Sequence, residues 1–191
     1  MAAQELAEIL LPHFQATGIP GSCDTSDDHE TLITRPRDLQ DNTTPSGNAM
    51  AITILLKLAG FTNDVRTVDI AHQALAQMQT PTGGGMMSQY PLGFGQWLQA
   101  LAYALSKPRE IAIIGDPNSA DTQALLSVVR DGYRPFQVVA LGGPSAQPSD
   151  VPLLQDRGMA AGEATAYVCR SFSCQAPVTE PEALRAQVES W

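Results

Sequence analysis

Up to Leu105 the apolar positions recur at the three-to-four spacing of helices, and beyond Lys107 they gather into short continuous runs. Leu6, Ile9, Leu10 and Phe14 share one face of a helix predicted over Ala3–Phe14, which Gly18, Pro20 and Gly21 end. Residues 22–30 are polar and acidic and read as a loop, followed by a short strand or extended piece from Thr31 to Thr34. A second helix opens near Ser46, capped by Thr44 or Ser46, with Pro45 tolerated because its missing amide hydrogen is not needed there. It runs through Met50, Ile52, Ile54, Leu55, Leu56, Leu58 and Ala59, apolar on nearly every side, and so should be buried. Gly60 is the expected left-handed terminator, and Thr62, Asn63 and Asp64 supply caps for a third helix, Val65–Gln79. Two helices linked this tightly predict a helical hairpin. Thr80 to Gly85 breaks the chain with a glycine run, after which a fourth helix, Gly95–Leu105, turns Trp97, Leu98, Leu101, Ala102 and Leu105 inward.

The second half reads differently. Glu110–Gly115 is a β-type run, Ser119–Arg130 is helical with Leu125, Leu126 and Val129 on one face, and Phe136–Leu141 is a second strand. Strand, helix and strand at this spacing form a βαβ unit with its two strands parallel. A Gly/Pro/Ser loop, Gly142–Ser149, and a short Val151–Arg157 segment lead to a third strand, Ala164–Cys169. Thr179 with Glu182 forms a capping box for a last helix that buries Leu184 and Val188. The expected fold is therefore mixed: α-helical hairpins over residues 1–106, then a small α/β unit with a mainly parallel sheet over residues 107–191.

Composition narrows the partners. The 191 residues hold 20 acidic against 11 basic side chains, a formal net charge of -9, with no Lys/Arg block to reverse it locally. Such a chain repels phosphate backbones and anionic lipid, so no nucleic acid and no membrane partner is expected. The longest apolar run, Ala49 to Ala59, is too short to span a bilayer, and the first residues lack the basic region of a secretory signal. An odd cysteine count, Cys23, Cys169 and Cys174, favours a reducing compartment over a secreted disulfide scaffold, and the location expected is cytoplasmic.

Candidate chemistry concentrates in two places. The loop from Arg35 to Asn48 offers Arg35 and Arg37 as rigid forks, Asp38 and Asp41 as acceptors, and Ser46, Gly47 and Asn48 at a helix start where amides lack intrahelical partners. It either binds a polar ligand or pairs its own aspartates with its arginines and feeds a buried helix. Cys169 and Cys174 lie too far apart for a Cys-x-x-Cys redox site yet can meet across a turn, either as a structural pair of thiols or as redox candidates. The histidines all fall in the other half, so no zinc set is expected. Asp27, Asp28 and Glu30 lack the spacing of a calcium loop, and His29 lies among these carboxylates. Asp116–Ser119 has a strand-turn-helix layout but one glycine and a proline, which make neither a dinucleotide nor a phosphate loop. No cofactor and no metal are expected.

Several of these stretches resemble one family. Asp24-Thr25, Asp27-Asp28, Leu32 to Asp38, Asp41-Asn42, Pro45-Ser46-Gly47-Asn48, Glu110 to Gly115, Ala166 to Cys169 and Cys174 to Thr179 are similar to the carboxy-terminal part of large thioredoxin-domain proteins. These are the bacterial YyaL type and the mammalian spermatogenesis-associated thioredoxin-like protein. The family joins a thioredoxin-like domain to an (α/α) toroid similar to six-hairpin glycosidases and sugar epimerases, so the resemblance implies that the helical region is part of such a toroid. It implies a carboxy-terminal fragment, without catalytic activity of its own, whose Arg35–Asn48 loop binds a carbohydrate-like or other polar small molecule. The alternatives are a sugar epimerase or glycosidase-type enzyme, and a redox accessory domain using Cys169 and Cys174. The missing amino-terminal region of the family, or self-association through an exposed helical flank, is the expected protein partner. Where the family has a Gly-Gly-Phe-Phe-Asp-Thr type segment, this chain has Pro20-Gly21-Ser22-Cys23-Asp24-Thr25, without the aromatic pair of a carbohydrate platform.

Overall fold

The computed structural model describes residues 2–16, 18, 21–30, 33–80, 85–144 and 150–190. Pro20, Thr31, Leu32, most of the glycine break and most of the Gly142–Ser149 loop lie outside the described residues. Ile33 and Thr34, expected in a strand, form a bend with Ile33 fully exposed. The chain divides into two compact units, Met1–Ala59 with Asp64–Ser106, and Gly60–Asn63 with Lys107–Trp191.

The first unit is helical. It contains α1 (Ala2–Phe14), α2 (Gly47–Thr62, whose last residues count with the second unit), α3 (Val65–Gln79), α4 (Met86–Gln89) and α5 (Gly95–Leu105). Helix α2 is buried on several sides of its apolar circumference, at Ala49, Ala51, Ile52, Leu55, Leu56, Leu58 and Ala59, while Met50 and Ile54, expected inward, are exposed. It does not stop at Gly60. Asn63, in the left-handed conformation (φ 56°), turns the chain, and the Asp64 carboxylate accepts the Arg66 amide to open α3. Gly60 serves a different end, since a Cβ there would lie 2.9 Å from Cγ2 of Val138.

Two predicted faces are corrected. On α5 the buried residues are Trp97, Ala100 and Tyr103, while Leu105 is 74% exposed. The anchor is Trp97, whose indole N–H donates to the Leu39 carbonyl (2.8 Å), and the three-residue spacing follows from it. On α1 Ala7 is buried but Leu6 and Ile9 are exposed, bordering an apolar groove of about 510 Å³ with Ala51, Ile54 and Leu55 of α2. The short α4 and a 3₁₀ turn at Pro91–Gly93 escaped the sequence reading because single turns carry no periodicity.

The second unit holds β1 (Arg109–Ile114), α6 (Ala120–Arg130), β2 (Gln137–Gly142), a 3₁₀ turn at Pro152–Leu154, β3 (Thr165–Arg170), β4 (Ser173–Cys174) and α7 (Pro181–Ser190). The sheet order is β2-β1-β3-β4. Strands β1 and β2 are parallel, as the intervening helix demands, but β1 with β3 and β3 with β4 are antiparallel. The sheet is thus mixed rather than mainly parallel: the described residues of the β2-to-β3 connection hold a 3₁₀ turn, and β3 runs antiparallel to β1. Alternation along β1 and β3 sends Ile111, Ile113, Ala166 and Val168 against Leu125, Leu126, Val128 and Val129 of α6 and Leu184 and Val188 of α7. The opposite face packs Ala112, Val138 and Ala140 on Leu153. Gly115 has no room for a side chain, because a Cβ would meet Thr122 and Ala164. Helix α7 opens at Pro181, with the Glu180 carbonyl accepting the Leu184 amide, so the expected Thr179 cap falls one residue early. Among the described residues no helix is long and apolar enough to cross a membrane.

Candidate functional site

Ser46 caps α2, accepting the Ala49 amide (3.3 Å) on its hydroxyl while donating that hydroxyl to the Asp38 carbonyl (3.2 Å). Its own amide, expected as a free donor, goes to Asp41 Oδ1 (2.9 Å), and Asp41 Oδ2 takes the Gln96 amide at the start of α5 (2.7 Å). Asn48, 1% exposed, accepts the Ser22 amide (2.7 Å) and reaches the Asp24 carboxylate (3.5 Å). Arg35 donates to the carbonyls of His13 (2.8 Å) and Thr25 (2.6 Å), fastening the acidic loop to the end of α1. The half-buried Arg37 guanidinium occupies room left by Gly21 (φ 104°), and burial pulls its pKa down against the pull of Cys23 and Asp24.

Outside this framework a cleft of about 380 Å³ opens over the start of α2. Leu10 and Phe14 form its apolar side, and Asp24, Asp38, Gln40, Asn42, Thr44 and Gly47 its exposed polar rim. The rim is held from behind: Asp24 accepts the Asp38 amide (2.6 Å), and Asp38 accepts the Gln40 amide (3.1 Å).

The cysteines meet as expected, across the two-residue turn Ser171–Phe172, and they are bridged. Both turn residues have positive φ (47° and 60°), the geometry that matches a tight hairpin. Cys169 is fully buried and Cys174 exposed. Arg157 Nη2 lies 3.1 Å from Sγ of Cys174 and 3.5 Å from Sγ of Cys169, with its guanidinium over the Tyr167 ring. Burial pushes the Glu110 carboxyl up, although it accepts the amides of Phe172 (2.8 Å) and Ser171.

The acidic loop resolves differently from its sequence. His13, not His29, pairs with Asp27 (2.7 Å), and that bond raises the His13 pKa. His13, Asp27 and Asp28 are the grouping among the described residues whose ligand atoms, within 4.8 Å of one another, could hold a cation, and the group is solvent-facing. In the Asp116–Ser119 turn Asp116 accepts the Asn118 amide (2.9 Å). Asp121 is held at a pKa of about 2 by the Ser119 hydroxyl and by the amides of Ala164 and Thr122, so a carboxylate stands at the helix start that a phosphate would need.

Against known proteins, no protein-family model matches the chain. Spermatogenesis-associated protein 20 of Homo sapiens is 32% identical over 157 residues, and those of Rattus norvegicus and Mus musculus are 31% identical over the same length. The chain belongs to the spermatogenesis-associated protein 20 family. The match takes in 81% of this chain but 19% of each relative, so the chain spans about one fifth of the length of the curated relatives it matches.

Within this member of the spermatogenesis-associated protein 20 family, the seven loop residues expected at a site separate into two groups. Arg35, Arg37, Asp41 and Asn48 build the framework, Asp38 and Gly47 reach the cleft, and the buried Ser46 belongs to the framework while also lining the cleft. Sequence reasoning missed Asp24, Gln40, Asn42 and Thr44 as lining residues, although Asp24 and Asn42 stood inside the quoted family stretches. It also missed Arg157, Glu110 and Tyr167, which carry no local signature and are gathered only by strand register.

Proposed function

We propose that the cleft over the start of α2 binds a small neutral or cationic molecule bearing several hydroxyl or amino groups. The observation supporting this reading is the rim itself: exposed carboxylates of Asp24 and Asp38 and exposed amides of Gln40 and Asn42, on a backbone fixed by buried Asn48 and Ser46. Carboxylates accept from sugar hydroxyls or ammonium groups, side-chain amides both donate and accept, and Phe14 and Leu10 offer an apolar wall to a sugar ring or methylene chain. Two carboxylates on a chain of net charge -9 disfavour an anionic ligand. Arg35 and Asp41, in this reading, preorganise the loop and do not touch the ligand.

The test is an amide-resolved NMR titration of the full chain with glucose, N-acetylglucosamine and putrescine, and with citrate as the anionic control. Saturable shifts confined to residues 22–24 and 38–48, seen for a sugar or the diamine and absent for citrate, are expected. Asp38→Ala should weaken that binding by about tenfold, the loss of one hydrogen bond to a charged group. Absence of saturable shifts in those residues with every probe overturns the proposal, and product analysis of the same samples reads any turnover.

A further inference from the structure

We propose that the β3–β4 hairpin is a thiol–disulfide exchange site in which an external small monothiol attacks the exposed sulfur of Cys174, Cys169 leaves as thiolate, and Arg157 holds the charge. Four observations converge on it. First, Cys169 and Cys174 are register partners in an antiparallel pair. The next position inward carries the backbone hydrogen bond, Gln175 N–H to Val168 carbonyl (2.9 Å), so the cysteines occupy the non-hydrogen-bonded position where side chains come closest. Second, the two sulfurs differ in access, Cys169 being fully buried and Cys174 exposed, which fixes the direction of attack.

Third, Cys174 forms part of the wall of an open cleft of about 580 Å³, with Asn63, Gln155, Arg157, Tyr167 and Phe172 around it, enough room for a peptide-sized thiol. Fourth, a cation is already in place. Arg157 Nη2 is within hydrogen-bonding reach of both sulfurs, and its other terminal nitrogen donates to the carbonyls of Leu153 and Gln155 (3.2 Å to the latter). A guanidinium fixed beside a sulfur stabilises the thiolate, the state in which sulfur leaves and in which it re-attacks. The other charged or titratable groups facing this cation are Glu110, Tyr167 and Asp156. Glu110 is the register partner of Cys169 on β1 and pins the turn by accepting the Phe172 amide, so the hairpin is held when the bridge opens.

The exchange balances. A thiolate RS⁻ bonds to Sγ of Cys174, the Sγ–Sγ bond breaks, and its electron pair passes to Sγ of Cys169, leaving the mixed disulfide R–S–S–Cys174. A second RS⁻ attacks the R-bearing sulfur, Cys174 departs as thiolate, and R–S–S–R is released. Two thiols are oxidised and the cysteine pair gains two electrons, the two protons given up by RSH passing to the cysteines or to solvent according to pH. The reverse sequence re-forms the Cys169–Cys174 bridge, with R–S–S–R as the oxidant, itself reduced to two thiols.

The experiment uses the oxidised full chain in a Cys23→Ser background, reacted with reduced glutathione from about pH 6 to about pH 9, the range around the thiol pKa, and quenched by acid and alkylation. Reduction of the native chain, reversal by oxidised glutathione, and a transient adduct on Cys174 alone by mass spectrometry are expected. Arg157→Gln should slow reduction about tenfold. It should also move upward the midpoint of the pH–rate profile for re-oxidation of the reduced pair by oxidised glutathione, where a protein thiolate is the attacking group, and Arg157→Lys should restore most of both. Reduction only under conditions that unfold the chain, an adduct on Cys169, or an Arg157→Gln profile unchanged in rate and midpoint overturns the proposal. Should Arg157→Gln fail to fold, the adduct position and native-state reversibility of the parent still decide it.

Discussion

The loop ahead of α2 and the β3–β4 hairpin are both polar clusters beside apolar elements, yet they use their hydrogen-bonding groups in opposite ways. In the loop the residues most suggestive of chemistry, Arg35, Asp41, Ser46 and Asn48, are occupied with backbone amides and carbonyls. What is left for a ligand is the second rank, Asp24, Asp38, Gln40 and Asn42, on a rim those buried groups hold in shape. At the hairpin the suggestive residues, Cys169 and Cys174, are bonded to each other, with Cys174 exposed, and the framework comes from residues with no motif, Glu110 and Arg157. Functional side chains at a helix entrance are thus most conspicuous when they are structural, because capping and ligand binding draw on the same residue types.

If that contrast holds, the largest stability losses belong to the loop. Asn48→Ala removes the acceptor of the half-buried Ser22 amide and empties a position 1% exposed, and should cost about 1–3 kcal/mol. Urea unfolding reads it; a loss below about 0.5 kcal/mol would return Asn48 to the list of ligand groups. Gly60→Ala comes next. Helix propensity alone favours alanine by about 1 kcal/mol, but the stiff Val138 side chain 2.9 Å away must shift, and overpacking of that kind costs about 1–3 kcal/mol. Net destabilisation is expected, and a double variant with Val138→Ala should recover it. A stabilised Gly60→Ala would mean that the glycine is merely a helix residue.

Smaller still is the effect expected at the hairpin. Arg157 is half-buried and bonded to carbonyls as well as sulfurs, so Arg157→Lys should shift unfolding by under about 1 kcal/mol, the scale of a partly exposed hydrogen bond. The residue's signature belongs in the exchange rate, slowed in Arg157→Gln and largely kept in Arg157→Lys. A large stability change with no kinetic change would make the two regions alike.

How far the sequence carried this reading depended on the range of the signal. Periodicity located α3 and α5 at both ends and every strand of four residues or more within one position, since burial of one face is a local property of the chain. The parallel β1–β2 pair followed from the helix between them. Strand β3 did not, because its direction is set by what it packs against and by a connection with no periodic content. Likewise the loop was legible as a polar cluster, but which of its members face inward is decided by Ser22, Gln96 and Thr25, distant in sequence from their partners. The Glu110–Cys169–Cys174 row exists only through register across three strands, and no pattern along the chain encodes it.

The smallest expected effect tests the rim of the first region by pH. His13 at the end of α1 donates its Nδ1–H to the Asp27 carboxylate at 2.7 Å, and this bond, then the charges of Asp27 and Asp28, raise its folded pKa above the ordinary 6.5. A raised histidine favours the folded state most fully below 6.5, and that contribution is lost as pH climbs through the raised value. Because the pair is solvent-exposed, the change in melting temperature should be slight and should shrink further in salt. Asp27→Asn should flatten it. The same change should leave the Asp38–Thr44 amides untouched, since Arg35 anchors the acidic loop through carbonyls that do not titrate; if those amides follow the histidine, the cleft rim is coupled to the charge pair and its shape depends on pH.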